Sequence, residues 1–154
     1  MTGMTPMFRN DLAFLSNFWE QEFWVPELDM VAKSSEHAFM ALKTEDRIEQ
    51  AFVLNAPTPG MAKQRGRDLV LRRDWDSGGR VWAMQRVLVA KFTVPDLATK
   101  LDETGDMHLA ETNYWHDQFW GTCYCNLHND APGVNMLGEL LMGIRTAGRM
   151  YRNA

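Results

Sequence analysis

Ser34-Ser35-Glu36-His37-Ala38-Phe39-Met40-Ala41-Leu42-Lys43 is the stretch from which the fold of this chain is read. Either serine can cap a helix, Glu36 falls in the first turn, and Phe39, Met40, Ala41 and Leu42 follow at helical spacing. The helix is expected to run on until Pro57, Pro59 and Gly60 end it. On such a helix Glu36 and Lys43 share a face, about 10 Å apart along the axis. The plain reading is a glutamate that complements the helix dipole and a solvated lysine. The chemical reading is a carboxylate and an amine lining one cleft, with Glu36 moving protons and Lys43 a candidate nucleophile.

Outward from that helix the pattern stays mainly helical. Residues 8–33 carry short apolar groups broken by polar residues and proline, and read as strands and loops. Thr58-Pro59 opens a second, shorter helix. Gly78-Gly79 precedes a helix over residues 80–92, with Val81, Met84, Val87, Leu88 and Phe92 in a broad apolar stripe. Val94-Pro95-Asp96 starts another, which stops near Thr104-Gly105. Residues 108–113 suit a short strand and 121–133 a long loop. The last helix, about 135–150, places Leu137, Leu140, Leu141 and Ile144 on one face. The expected fold is α+β, mainly α-helical, a compact single domain over residues 1–154 with a few short strands.

Composition bounds the function. A chain of 154 residues, 45% hydrophobic and 23% charged, can bury a core and is no disordered segment. Its net charge of −4 disfavours a general electrostatic clamp on nucleic acid or an anionic membrane, while leaving room for a local basic cleft. No apolar run approaches the roughly 18 residues of a spanning helix, and Met1 to Asp11 lacks the pattern of a signal peptide. The only cysteines, Cys123 and Cys125, lie too close together to staple a fold, so a reducing, cytoplasmic setting is expected. Most of the eleven methionines, six tryptophans and eight phenylalanines belong to the core, and a minority can wall a planar ligand.

Three further groups carry chemistry. In Tyr114-Trp115-His116-Asp117-Gln118-Phe119-Trp120-Gly121, Asp117 is either a hydrogen-bonded acceptor capping an apolar corner or a carboxylate placed beside a ligand. Cys123-x-Cys125-x2-His128, with His116 upstream, invites a zinc reading. However, C-x-C is not the usual ligand spacing, and a reduced loop without metal is the reading kept. Lys63, Arg65, Arg67, Arg72 and Arg73, followed by Trp75, form either a solvated basic face or a site that holds phosphate and stacks a base. No P-loop or dinucleotide fingerprint occurs.

The order of these groups resembles one family. Phe14-Leu15-Ser16-Asn17-Phe18 is followed by Ser35-Glu36-His37-Ala38-Phe39 with Lys43. Gly66-Arg67-Asp68, Trp75, Lys91-Phe92, Thr104-Gly105, Leu109 and Glu111 come next. Asp117-x-Phe119-Trp120-Gly121 and Gly133-x-Asn135-x-Leu137-Gly138-x2-Leu141-Met142-x-Ile144-Arg145 close the series. This is similar to the NADAR family, over about residues 8–149.

The resemblance implies a mainly helical domain that hydrolyses N-glycosidic bonds to a ribose. Two substrate classes are implied: ADP-ribose attached to guanine in a nucleotide or nucleic acid, which comes first, and the small phosphoribosylamino intermediates of riboflavin synthesis. A non-catalytic module binding ADP-ribose or a related nucleotide is the reading from another class. Carried over residue by residue, the catalytic groups are Glu36, Lys43 and Asp117. Substrate contacts fall on Ser16, Asn17, Arg67, Trp75, Trp120, Gly121 and Asn135. This sequence departs from the riboflavin-type members in the loop after Trp120-Gly121. Cleaving a ribose–nitrogen bond builds positive charge at the anomeric carbon and negative charge on the base, so a carboxylate and a proton donor suffice. Alternatively, a lysine captures the ring-opened sugar as a Schiff base. No metal and no cofactor are expected.

Overall fold

The structure, a computed structural model, describes residues 8–154. Residues 1–7, part of the segment read as lacking a leader, lie outside the described residues. The fold is mainly helical α+β, as the sequence leads one to expect, with six α-helices, three 3-10 turns and four short strands among the described residues. Two compact units emerge, one from Asn17–Leu97 and one from the chain up to Ser16 together with Ala98–Ala154.

The Asn17–Leu97 unit begins with an antiparallel hairpin, β1 (Glu20–Val25) and β2 (Met30–Ser34). Phe23 pairs with Ala32 and Trp24 with Val31. The strand period of two sends Phe23, Val25, Ala32 and Ser34 inward and leaves Trp24 and Val31 exposed. Strand β2 runs straight into α1 (Ser35–Ala41), with Ser34 as both last strand residue and N-cap, its hydroxyl accepting the His37 N–H. All seven residues of α1 are buried, because α2 (Arg47–Leu54), α3 (Pro59–Arg65), α4 (Gly79–Lys91) and β2 pack around it. A helix enclosed on every side has no solvent face for a charged residue. That fact sets the state of Glu36.

The expected long helix is corrected here. Helix α1 ends at Ala41, and Lys43 therefore lies beyond it, with its charge still acting on Glu36. Asp46 caps α2 by accepting from the Ile48 and Glu49 N–H groups, and Gln50 Nε2 donates to the Thr44 carbonyl at 2.8 Å. Arg72 donates to the carbonyls of Leu42 and Lys43, each at 2.8 Å, which satisfies groups a broken helix would orphan. Thr58 caps α3 with Pro59 in the first turn, as read from the sequence.

In the other unit, the buried Phe14 and Leu15 belong to the 3-10 turn Asn10–Leu15. The chain enters it again within α5 (Pro95–Glu103) and continues to β3 (Thr112–Asn113), β4 (Thr122–Cys123) and α6 (Met136–Arg152). Strands β3 and β4 are parallel and only two residues long. Leu137 and Leu141 of α6 are buried. At Gly138 a Cβ would stand 2.0 Å from the Leu109 carbonyl oxygen, so only glycine lets the helix approach that closely. Arg145 donates to Thr104 Oγ1 and the Met107 carbonyl, tying α6 to the turn after α5.

Candidate functional site

Glu36 is a buried titratable group of the Asn17–Leu97 unit. Its residue is 6% exposed, and its backbone N–H donates to the Asn17 carbonyl at 2.9 Å. Burial raises its pKa to about 7, opposed by the charges of Lys63 and, more weakly, Lys43. The first-turn position would favour the charged form, and desolvation outweighs it. At neutral pH the carboxyl is thus divided between acid and base, which is the condition a proton-transferring group needs.

Two residues tied to Glu36 through the backbone, Asn17 and Ser35, carry unsatisfied polar atoms. Asn17 Oδ1 and Ser35 Oγ are buried without a hydrogen-bond partner, an expensive condition where no ligand uses them. Phe18 is 47% exposed, and Lys63 Nζ stands 6.0 Å from its ring centre. Lys43 Nζ donates to the Gly66 carbonyl at 2.7 Å, and burial lowers its pKa against the opposing charge of Glu36.

His37 is a strut rather than a reactant. Nε2 lies 2.9 Å from the Ala56 carbonyl, so Nε2 carries the proton, and Nδ1 accepts from Ser34 Oγ at 2.7 Å. Burial lowers its pKa and keeps the ring neutral.

Trp75 is only 7% exposed and lies tilted against Phe39, ring centres 5.2 Å apart. The tryptophan expected to present a face to a base therefore packs on α1, one turn from Glu36. Arg67 is exposed. A groove of about 430 Å³ on this unit, lined by Glu49, Phe52, Met61, Gln64, Arg65, Asp68 and Leu69, includes none of the expected site residues.

The remaining expected residues, Ser16, Asp117, Trp120, Gly121 and Asn135, belong to the other unit. Asp117 Oδ1 accepts from the Phe119 and Trp120 N–H groups at 3.1 and 2.9 Å, a local turn cap. Its backbone is held by both ends of the Asn113 amide. Gly121 is buried, and a Cβ there would meet the Glu111 carbonyl oxygen at 2.0 Å. Asn135 sits at φ 54° and spends its amide on the backbone, accepting from Glu111 N–H at 3.0 Å and donating to the Leu109 carbonyl at 2.9 Å. Its N–H reaches the Gly121 carbonyl at 3.3 Å.

Sequence reasoning named Glu111 and Lys91 only within the motif series and Lys63 only as part of the basic segment, without linking any of them to Glu36. Burial, then the Asp117 charge, raises Glu111 to about 7, and its Oε2 is buried without a partner. Lys91 is fully enclosed, and burial lowers it to about 7. Glu111 and Lys91 stand in the motif series, which was the available signal. Lys63 sits only in the basic segment.

The NADAR domain family matches residues 7–147. Among solved structures, an NMR structure of the E. coli protein YbiA is similar, at 27% sequence identity and TM-score 0.78, covering 96% of this chain and 84% of that one. Comparison with curated proteins gives no match. No helix among the described residues is long and apolar enough to cross a membrane.

Proposed function

This chain belongs to the NADAR family, and from that premise we propose that it is an N-glycosidase that removes ADP-ribose from ADP-ribosylated guanine in a nucleotide or nucleic acid. The family includes N-glycosidases, and membership supports a glycosidase-like role in general. The observation that carries the reading is Glu36, a carboxyl buried beside two lysines and titrating at about 7. In its protonated form it donates to the departing base; as the carboxylate it stabilises the anomeric cation or takes a proton from water.

The other residues take supporting roles. Lys63 and, more weakly, Lys43 temper the rise in Glu36 proton affinity that burial causes. Asn17 Oδ1 and Ser35 Oγ are buried acceptors for ribose hydroxyls or base N–H groups. Phe18, more open than Trp75, offers the aromatic face, and Arg67 a guanidinium for phosphate. In the other unit, Asp117 shapes the Trp120-Gly121 turn, and Glu111 is the carboxyl that holds a proton near neutral pH.

The test is mass spectrometry of products after incubation with an ADP-ribosylated-guanine oligonucleotide and, in parallel, a phosphoribosylamino-pyrimidine. Free ADP-ribose from the first, lost in Glu36→Gln, is the expected result. Turnover of the second alone would move the assignment to the metabolite. Binding of ADP-ribose with neither turned over would make the chain a binding module.

A further inference from the structure

The loop between β3 and α6 gathers four metal-ligating side chains that the glycosidase chemistry does not use. Among the described residues, His116, Cys123, Cys125 and His128 form a group whose ligand atoms all lie within 4.8 Å of one another. Cys125 Sγ is 3.1 Å from His128 Nδ1 and 3.3 Å from His116 Nδ1, and the two Nδ1 atoms are 3.5 Å apart. Cys123 Sγ lies 3.4 Å from the Cys125 backbone nitrogen. We propose that these four side chains form a closed zinc site that staples the loop following Asp117.

The geometry fits that ion. Zinc bonds of about 2.0–2.1 Å to nitrogen and 2.3 Å to sulfur set neighbouring ligand atoms about 3.3–3.8 Å apart in a tetrahedron. The close pairs already stand near those edges, and pairs as wide as 4.8 Å would contract by about 1–1.5 Å. The chemistry fits too. Two thiolates balance a divalent charge, and binding releases the two thiol protons. Thiolate with imidazole selects a borderline-soft ion over magnesium or calcium. Four protein ligands leave no position for water, so the site is structural and not hydrolytic.

The fold has placed these groups in two ways that the sequence spacing hides. His116 stands at φ 73°, a left-handed conformation that side-chain-bearing residues seldom adopt, and its ring lies against Cys125 and His128. Cys123 is fully buried in β4, while Cys125 and His128 are half-buried beyond the strand end. The loop has little apolar anchorage, since Tyr114, Trp115 and Leu127 are 63%, 62% and 82% exposed. It is held also by hydrogen bonds, among them those of Gln118 to Ala131 and to the Cys123 N–H and that of the Tyr124 N–H to the Asn113 carbonyl. A bound ion would add a cross-link between residue 116 and residues 123–128.

The test uses the full chain, kept reduced, stripped with chelator and titrated with zinc against a chromophoric competitor. About one zinc per chain, with the cobalt-substituted protein showing tetrahedral ligand-field bands and a thiolate charge-transfer band, is expected. Cys125→Ser and His128→Asn, both at half-buried positions, should each weaken zinc binding by about 10²-fold or more while the far-ultraviolet circular dichroism keeps its helical signal. The thermal midpoint should rise with zinc in the parent chain and not in the Cys125→Ser/His128→Asn double variant. Failure of the stripped, reduced parent chain to bind zinc, an octahedral cobalt spectrum, or equal zinc binding by the double variant would each overturn the site. If one single variant fails to fold, the other and the cobalt spectrum of the parent decide the matter. None of these readouts requires turnover, so the outcome is independent of the glycosidase reading.

Discussion

The Lys43 ammonium donates a 2.7 Å hydrogen bond to the carbonyl oxygen of Gly66, fixing the segment after α1 to the end of α3. The contact needs glycine at 66, where a Cβ would lie 2.4 Å from Met40 Sδ and 2.9 Å from Met40 Cβ. A lysine engaged in this way has its Nζ fixed on a backbone carbonyl, where it orients the site and contributes its charge, while burial lowers its pKa against the opposing charge of Glu36.

Lys43→Met is therefore expected to lower stability by about 1.5–3 kcal/mol, the scale of a charge-assisted hydrogen bond. Borohydride reduction during turnover should give no ribose adduct on the chain. An adduct mapped by mass spectrometry to Lys43 would establish covalent catalysis instead.

Glu36→Gln should keep the fold and reduce turnover by about 10²-fold or more. Its effect on stability has a defined sign. The folded-state pKa of Glu36 is raised, to about 7, so between the ordinary value of 4.5 and 7 the native state binds more protons than the unfolded chain. The parent chain then loses about 3 kcal/mol as pH rises through that window, a loss complete above 7. The variant should lack this loss and be the more stable of the two at pH 8, as measured by urea unfolding at pH 4.5, 6 and 8.

Lys63→Met tests the electrostatics without touching the core, because Lys63 is exposed. Lys63 lowers the Glu36 pKa more than Lys43 does, so its loss should move the Glu36-dependent limb of the pH–rate profile further upward than Lys43→Met. The displacement should shrink in high salt, which already screens an exposed charge. An unmoved limb would mean that another group governs it.

Asn135→Ala leaves the Glu111 N–H and the Leu109 carbonyl without partners. At about 1–3 kcal/mol for each buried unsatisfied group, a loss of about 2–4 kcal/mol is expected, with activity per folded molecule little changed. Loss of substrate affinity with unchanged stability would make Asn135 a ligand contact.

Asp117→Asn keeps an oxygen for the Phe119 and Trp120 N–H groups, whereas Asp117→Ala removes it. If Asp117 serves as a turn cap, Asn should retain thermal stability and most activity while Ala loses about 1 kcal/mol or more. Asp117→Asn that is fully stable yet inactive would show that the carboxylate itself takes part in catalysis.

The sequence by itself determined the helical content, the Thr58-Pro59 and Gly78-Gly79 helix starts, the terminal amphipathic helix and, through ordered motifs, the family. These rest on capping and periodicity within one segment. The end of α1 at Ala41 was not legible, because it depends on Arg72, distant in sequence, supplying donors to the Leu42 and Lys43 carbonyls. Glu36 was named from its motif, but its protonation was decided only in three dimensions. A first-turn carboxylate in water favours the anion, and enclosure of α1 by helices and hairpin reverses that preference. The Cys123–His128 loop repeats the lesson. C-x-C is not the usual ligand spacing along the chain, yet the ligand atoms of His116, Cys123, Cys125 and His128 lie within 4.8 Å of one another in the fold. Local pattern is written in neighbouring residues, while proton affinity and ligand convergence depend on which distant groups share the same small volume.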